Sequence, residues 1–316
     1  MSGGQGASAP VTVLLAVYNG ERFLRTAMDS ILAQRYRDFR FLIVDDASTD
    51  DTRERVRACA DPRIELLPLP RNVGQTAALN IGFRHARTRW IARMDADDFS
   101  APGRLEAQMK ALAAHPEVAC VGTAIWEFHD DPARIHEIKH RPREHEGIWR
   151  AALHGSGLIH GSVVVDRQAV LDAGGYDERY RFASDRDLFI RLLRKHRAMN
   201  LPEPLLGVRR HGAQDSFSLR AADEYIEIFK RLFRDGGLPA EERGILRGSL
   251  AYAHLFRARC LAAQGRAAAG RRDRALAMRI SPVTFLRSSG GSVVKRLVPK
   301  RLRLLLKRDF EQAIAQ

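Results

Sequence analysis

The chain begins with a short polar stretch and then alternates two periods. Val11–Val17 is a continuous apolar run rich in β-branched residues, as expected of a strand buried on both faces. Tyr18-Asn19-Gly20 breaks it. Over Glu21–Gln34 the residues Phe23, Leu24, Ala27, Met28 and Ile31 then form the stripe of an amphipathic helix. Phe39–Val44 predicts a second buried strand ending in Asp45-Asp46. Ser48 with Asp51 predicts a capping box that opens a helix running to Cys59. Ile64–Leu67 predicts a third strand, Asn72-Val73-Gly74 a turn, and Ala77, Ala78, Ile81 and Ala86 a third helix. Trp90–Met94 is the fourth strand. Such βα alternation predicts a parallel sheet with helices on both faces.

Beyond this point the pattern loosens. Arg104–His115 predicts a helix, Val118–Phe128 and Gly161–Val165 strands, Arg167–Ala173 and Phe189–His196 helices, and Leu205–Val208 a last strand. Residues 129–157, rich in His, Arg and Pro, have no clear period and are expected to be loops bordering a site. From Ala222 the pattern is helical, with Tyr225–Phe233 and Leu246–Ala263 carrying apolar residues at helical spacing. The expected division is a flexible N-terminus over 1–10, an α/β domain over 11–220 and a basic helical region over 221–316.

Charge changes this picture mainly by its location. The 316 residues carry a formal charge of +14, and residues 243–316 hold seventeen lysines and arginines against Asp273, Asp309 and Glu311. The preceding 242 residues are therefore neutral. Nucleic acid as the main ligand would need a broader basic face, so no specific nucleic acid is expected. Cys59, Cys120 and Cys260 are far apart and odd in number, which fits a reduced chain without a disulfide framework. Met1–Pro10 lacks the basic and apolar regions of a signal peptide. No apolar run approaches the roughly 18 residues that span a bilayer. A cytoplasmic protein, soluble or peripheral on the inner face of the membrane, is the expectation.

The chemistry concentrates where strands end. Asp95, Asp97 and Asp98 follow Trp90–Met94, three carboxylates within four positions. Charges this close repel unless a cation sits among them, and oxygen ligands suit Mg²⁺ or Mn²⁺. An acidic loop ahead of the helix at Arg104 is the plain structural alternative. Asp45-Asp46, Tyr18-Asn19 and this cluster should share one sheet edge, where open α/β sheets bind ligands. Neither GxGxxG nor GxxxxGK[ST] is present, so a nucleotide diphosphate bound here would need a metal to neutralise it.

Together the motifs resemble family 2 glycosyltransferases. They are Val11–Gly20, Val44–Asp50, Asn72-Val73-Gly74, Asp95-Ala96-Asp97-Asp98, Gly174-Gly175-Tyr176-Asp177 and Ala183-Ser184-Asp185-Arg186-Asp187-Leu188, in that order. The resemblance covers about residues 9–215. It implies the GT-A fold, a Rossmann-like, mostly parallel central sheet flanked by helices, here with a C-terminal helical extension. It also implies an inverting transfer of one sugar from a nucleotide sugar, a UDP-sugar by default, to a hydroxyl on a saccharide or lipid-linked acceptor. Such transfers belong to cell-surface polysaccharide or glycolipid biosynthesis.

Carried over by position, Ala16 and Tyr18 resemble residues that meet the base, and Asp46 the carboxylate that accepts from the base N–H. Asp95 and Asp97 match the DxD motif, with Asp95 nearer the ribose and Asp97 the metal ligand; Asp98 would join through water. Asp185 matches the general base, which an inverting displacement needs within reach of the acceptor hydroxyl. The family often has Ala-Glu-Asp at this point, and Ser184 replaces the glutamate. His211, after Arg209-Arg210, resembles a histidine near the diphosphate, and both a late metal ligand and a solvated loop residue are open. Structural alternatives are a core aromatic for Tyr18, a capping acid for Asp46 and a helix-starting acid for Asp185.

Processive relatives carry Gln-x-x-Arg-Trp, which is absent here. A nucleotidyltransferase of similar fold is disfavoured by the lack of a glycine-rich basic loop near the N-terminus. A non-catalytic basic protein binding membrane or nucleic acid is the other class. In the tail, Val293–Arg308 has seven basic residues, no acid and several leucines, interrupted by Pro299. Such a segment suits an anionic membrane surface or packing on the rest of the protein.

Overall fold

In a computed structural model of the chain, residues 10–211 and 218–288 are described. They fall into two compact units, one of residues 10–152 and 156–211, the other of 153–155 and 218–288. Val293–Arg308 and the N-terminal stretch 1–9 lie outside the described residues.

The first unit is built on a nine-stranded sheet. Its opening elements are β1 (Val11–Val17), α1 (Leu24–Leu32), β2 (Phe39–Asp45), α2 (Thr52–Arg57), β3 (Ile64–Pro68), α3 (Gln75–His85) and β4 (Trp90–Met94). There follow β5 (Phe99–Ser100), α4 (Arg104–Ala114), β6 (Val118–Phe128), β7 (Glu137–Lys139), α5 (His145–His154), β8 (Val164–Asp166), α6 (Arg167–Asp172), α7 (Ser184–Leu193) and β9 (Arg197–Arg209). The order is β3-β2-β1-β4-β8-β6-β9-β5, with β7 added to β6. The first four strands pair in parallel. Their uniform apolarity follows from burial on both faces: every residue of β1 and β4 is buried.

Two β1 registers fix the site. Val17 lies opposite Asp45 of β2, and Leu15 opposite Met94 of β4. The loops after the three strands therefore leave one edge, on either side of β1, where the connection order reverses. Beyond β4 the sheet is mixed. β8 runs antiparallel to β4 and β6, β9 parallel to β6, and β5 antiparallel to β9.

Several sequence expectations are corrected. Ser48 does not cap α2, which starts at Thr52 behind Asp51 without a side-chain cap. Its hydroxyl instead accepts from the Asn19 amide at 3.0 Å. Residues 129–157 hold β7 and α5, whose Ile148, Trp149, Ala151 and Ala152 are buried; flanking charges hid that short stripe. The strand expected over Gly161–Val165 is a 3₁₀ turn, His160–Ser162, and then three-residue β8. β9 is much longer than Leu205–Val208. Its Pro202 and Pro204 broke the sequence pattern, and there the register against β6 shifts, as a bulge allows.

The second unit is helical: α8 (Leu219–Asp235), α9 (Ala240–Ala263), α10 (Ala267–Ile280) and α11 (Pro282–Ser288). It opens ahead of the expected residue 221, with Ser218 Oγ accepting from Ala221 N at 3.1 Å as an N-cap. Ala251, Leu255 and Ala277 form a small core with Ile280 and Phe285. A buried His254–Asp273 contact of 2.7 Å links α9 to α10.

Candidate active site

The loops after β1 and β2 are laced into one edge. Asn19 Oδ1 accepts from Thr49 N at 2.9 Å, Thr52 Oγ1 from Gly20 N at 2.9 Å, and Asp50 Oδ2 from Glu21 N at 3.2 Å. Among the described residues, Asn19 (φ 51°) and Ala47 (φ 60°) are the non-glycine residues with left-handed backbone, a strain that such cross-bonding holds in place. Ala16 ends buried in β1, whereas Tyr18 stands 49% exposed at the edge. It is therefore no core aromatic. Asp45 accepts from Ser48 N at 3.2 Å and pairs with Arg53. Asp46 accepts from Val73 N at 2.7 Å and Gly74 N at 2.8 Å. The Asn72-Val73-Gly74 turn, with Gly74 at φ 86°, is thereby folded onto the edge, and Asp46 caps no helix.

The β4 cluster is built differently. Arg93, 1% exposed, donates from Nη2 to Asp95 Oδ1 at 2.6 Å. Arg104, fully buried at the start of α4, donates to the Arg93 carbonyl at 2.6 Å. These two cations supply part of the compensation that the sequence assigned wholly to a metal. They were legible in Trp90–Met94 and at Arg104, but a strand residue and a helix-start residue gave no sign of pointing inward. Burial opposes the Asp95 charge, yet the Arg93 guanidinium, by its charge and its hydrogen bond, outweighs it, so its carboxyl lies below the ordinary value. Burial pushes Arg104 down to about 10.

Asp97 and Asp98 lack that support. Burial and the Asp95 charge raise Asp97, against a hydrogen bond from His211. Burial, then Asp95 and Asp97, raise Asp98 well above the usual range. His211 Nε2 stands 3.0 Å from Asp97 Oδ2, so β9 brings these two expected ligands together. Asp98 is held elsewhere: its Oδ1 accepts from Arg209 N at 3.1 Å. Its Oδ2 and Asp95 Oδ2 flank Gly161, where an added methyl would meet them at 3.1 and 3.0 Å. Arg209 also donates to the Asp97 carbonyl at 2.9 Å and stacks on Phe23 and Phe128. Its role was invisible in sequence.

Among the described residues, no three His, Cys, Asp or Glu side chains form a ready cage for a metal. The donors present still fit Mg²⁺ or Mn²⁺. Such ions take one or two protein ligands and complete their shell with water and substrate phosphate. A raised, partly open carboxylate beside an imidazole suits that use.

Asp185 lies in the first turn of α7 and accepts from Arg186 N at 2.7 Å. Its neighbour Asp187 is fully buried and pairs with Arg191 at 2.5 Å, which also donates to the Gly175 carbonyl at 2.8 Å. Asp187 thus ties the preceding turn, leaving Asp185 partly exposed. The Gly174-Gly175 pair has φ of 87° and 68°, and a methyl at Gly175 would stand 2.7 Å from Asn80 Oδ1. Asn80 in α3 holds Tyr176 through its N and its carbonyl, both at 2.8 Å. This explains the glycine pair: the turn must press on α3 to aim α7. His160 and Tyr176 feel both Asp185 and Asp95, so the two expected acidic sites meet around this pair.

The chain matches the model of glycosyl transferase family 2 over residues 12–173. EpsE of Bacillus subtilis, named as a glycosyltransferase, is 34% identical over 217 residues, 67% of this chain and 76% of EpsE. The amylovoran biosynthesis glycosyltransferase AmsE of Erwinia amylovora is 29% identical over 244 residues, covering 76% of this chain and 90% of AmsE. Among solved structures, the Pyrobaculum calidifontis mannosyltransferase with GDP-Man and Mn²⁺ is similar at TM-score 0.61 and 23% identity, covering 94% of this chain and 83% of that one. Staphylococcus aureus TarS residues 1–349 with UDP-GlcNAc is similar at 0.66 and 14%, covering 88% and 83%. The fold is GT-A, and the protein is a glycosyltransferase. It belongs to glycosyl transferase family 2.

Proposed function

We propose that this enzyme transfers one sugar, with inversion, from a nucleotide diphosphate donor to an acceptor hydroxyl. UDP-sugar is the default donor, and the setting is cell-surface polysaccharide biosynthesis, as the names of the amylovoran biosynthesis glycosyltransferase AmsE and the succinoglycan biosynthesis protein ExoO suggest for those relatives. The observation that carries this reading is the pairing of Asp97 with His211 beside Asp98, whose carboxyl burial and its acidic neighbours raise well above the usual range.

In this scheme Ala16 and Tyr18 form the base end of the donor site. Asp46 keeps lone pairs for a base N–H after accepting from Val73 and Gly74. Asp95 faces the ribose end. Asp97 and His211 would hold Mg²⁺ or Mn²⁺, with Asp98 supporting through water. That ion would neutralise the departing diphosphate. Asp185 takes the proton from the acceptor hydroxyl as it attacks the anomeric carbon, while the bond to the diphosphate oxygen breaks on the opposite face. A thermal-shift screen of UDP- and GDP-sugars, with and without Mn²⁺, tests the scheme. A metal-dependent shift with one donor is expected; no shift with any nucleotide overturns it.

A lipid-linked acceptor at an anionic membrane is supported by charge. Val293–Arg308 lies outside the described residues, but α10 exposes Arg271, Arg272, Arg274 and Arg279 around Met278, itself 51% exposed. Gly270, Asp273 and Ala277 fill the opposite, buried side. An arginine face with an apolar centre suits an anionic bilayer. Among the described residues no helix is long and apolar enough to cross a membrane. Salt-sensitive co-sedimentation with vesicles containing phosphatidylglycerol is expected, and absence of it at low salt would remove this partner.

A further inference from the structure

His160 belongs to none of the roles assigned above, yet it occupies the junction of the site. Its backbone starts the 3₁₀ turn whose Gly161 is pressed between Asp95 Oδ2 and Asp98 Oδ2. Its ring packs edge-on against Phe189 of α7 at 6.2 Å. Phe189 follows Asp185 by four residues and so shares its helix face. One residue thus touches the acid cluster through its turn and the Asp185 side through its ring.

The hydrogen bonding sets which ring nitrogen carries the proton. His160 Nε2 is 2.7 Å from Tyr176 Oη. Tyr176 is buried, and burial raises its phenol far above the ordinary value, so the O–H persists. That is the hydrogen bond found for the hydroxyl, and a buried O–H left undonated is costly. The phenol therefore donates to Nε2, and the neutral ring must carry its proton on Nδ1. Burial and Arg93 push the imidazole down to about 4, against Asp185 and Asp95, which keeps it neutral at working pH. His160 retains part of its surface exposed.

We propose that His160, locked in its Nδ1–H form by Tyr176, donates a hydrogen bond to a hydroxyl of the transferred sugar and thereby orients the anomeric carbon toward Asp185. The sugar ring must lie between the diphosphate held at the acid cluster and the base, and His160 spans these two. The role rests on the proposed function, but its test separates the two.

The probe is whichever UDP- or GDP-sugar the wild-type enzyme hydrolyses fastest, with release of the nucleoside diphosphate as readout. His160→Ala and His160→Gln are expected to lose about tenfold to hundredfold in kcat/KM. His160→Asn, whose amide nitrogen stands near the Nδ1 position, retains most of it, because the Gln nitrogen replaces Nε2 instead. Tyr176→Phe, which keeps the ring packing, falls between them. All four bind the free nucleoside diphosphate as wild type does, since the contact is to the sugar. With deoxy-sugar donors, the analogue lacking the contacted hydroxyl is equally slow with wild type and His160→Ala. Full turnover by His160→Ala, or equal rates for the Asn and Gln variants, overturns the proposal. So does weakened binding of the nucleoside diphosphate alone, which marks structural damage. Normal turnover by Asp185→Asn with a slow His160→Ala would remove the base assignment and leave this one standing.

Discussion

Two acidic strand ends face the same sheet edge, and they are solved in opposite ways. Asp45 and Asp46 are met by backbone amides of Ser48, Val73 and Gly74 and by Arg53, which fixes two loops and leaves Asp46 lone pairs to spare. At the β4 end, among the described residues, only Asp95 pairs directly with a buried guanidinium, Arg93, while the buried Arg209 gives Asp98 its backbone amide and bonds the Asp97 carbonyl. Asp97 and Asp98 are left with proton affinities raised by burial and by one another. Identical residue types at strand ends on either side of β1 thus differ in what meets them: backbone amides and Arg53 at the β2 end, and at the β4 end carboxyls with raised proton affinity, the feature the proposed metal site uses. What separates them is the supply of donors, which a run of aspartates does not reveal.

The contrast breaks hardest at the chemistry. Asp185→Asn should lower turnover by about 10²–10⁴-fold, the usual worth of a general base, with donor binding kept; steady-state kinetics with donor titration checks both halves. At the scaffold end, Asp46→Asn removes the charge from two bonds to backbone amides. Unfolding by urea should show a loss of about 1.5–3 kcal/mol.

Asp98→Asn should act with the opposite sign. The folded state holds its proton more tightly than the unfolded chain, whose carboxyl titrates near 3.8. Stability therefore falls as pH rises from that value through the raised one, and stays reduced above it. The metal-free variant should melt about 2–4 °C higher at neutral pH, because its Asn side chain still accepts from Arg209 N. It should also lack this fall with pH. Equal destabilisation by Asp46→Asn and Asp98→Asn would erase the distinction.

The smallest effect concerns Glu127. Burial opposes its charge, but bonds from Arg210 and Lys139 outweigh that and lower its pKa from 4.5. Its contribution is present above pH 4.5 and is lost as pH falls through the lowered value. Glu127→Gln should flatten acid unfolding there by under about 1 kcal/mol.

The sequence made the parallel half readable because strands buried on both faces leave unbroken apolar runs, as in Val11–Val17 and Phe39–Val44. Strand-end acids followed from the same reading. The mixed half was obscured because its strands are short or bulged: β8 has three residues, and β9 carries Pro202 and Pro204 at a register shift. Within the site, Asp97 and His211 are 114 positions apart and meet only because β5 pairs with β9. Arg93, Arg104 and His160 escaped notice because their importance lies in direction. Each is an ordinary residue in its segment until the fold turns it toward the carboxylates. Ser48 with Asp51 gave a local helix-start signal, but the fold spends the Ser48 hydroxyl on the β1 loop, at Asn19 N.

In the proposed scheme the β4 cluster, through Asp97, holds the metal that in turn holds the diphosphate. Calorimetric titration of UDP and GDP into wild type and Asp97→Asn, each with and without Mn²⁺, tests it most directly. The predicted result is an affinity gain from Mn²⁺ in wild type that disappears in Asp97→Asn, while the metal-free affinity is the same in both. An equal gain from Mn²⁺ in both proteins would contradict it.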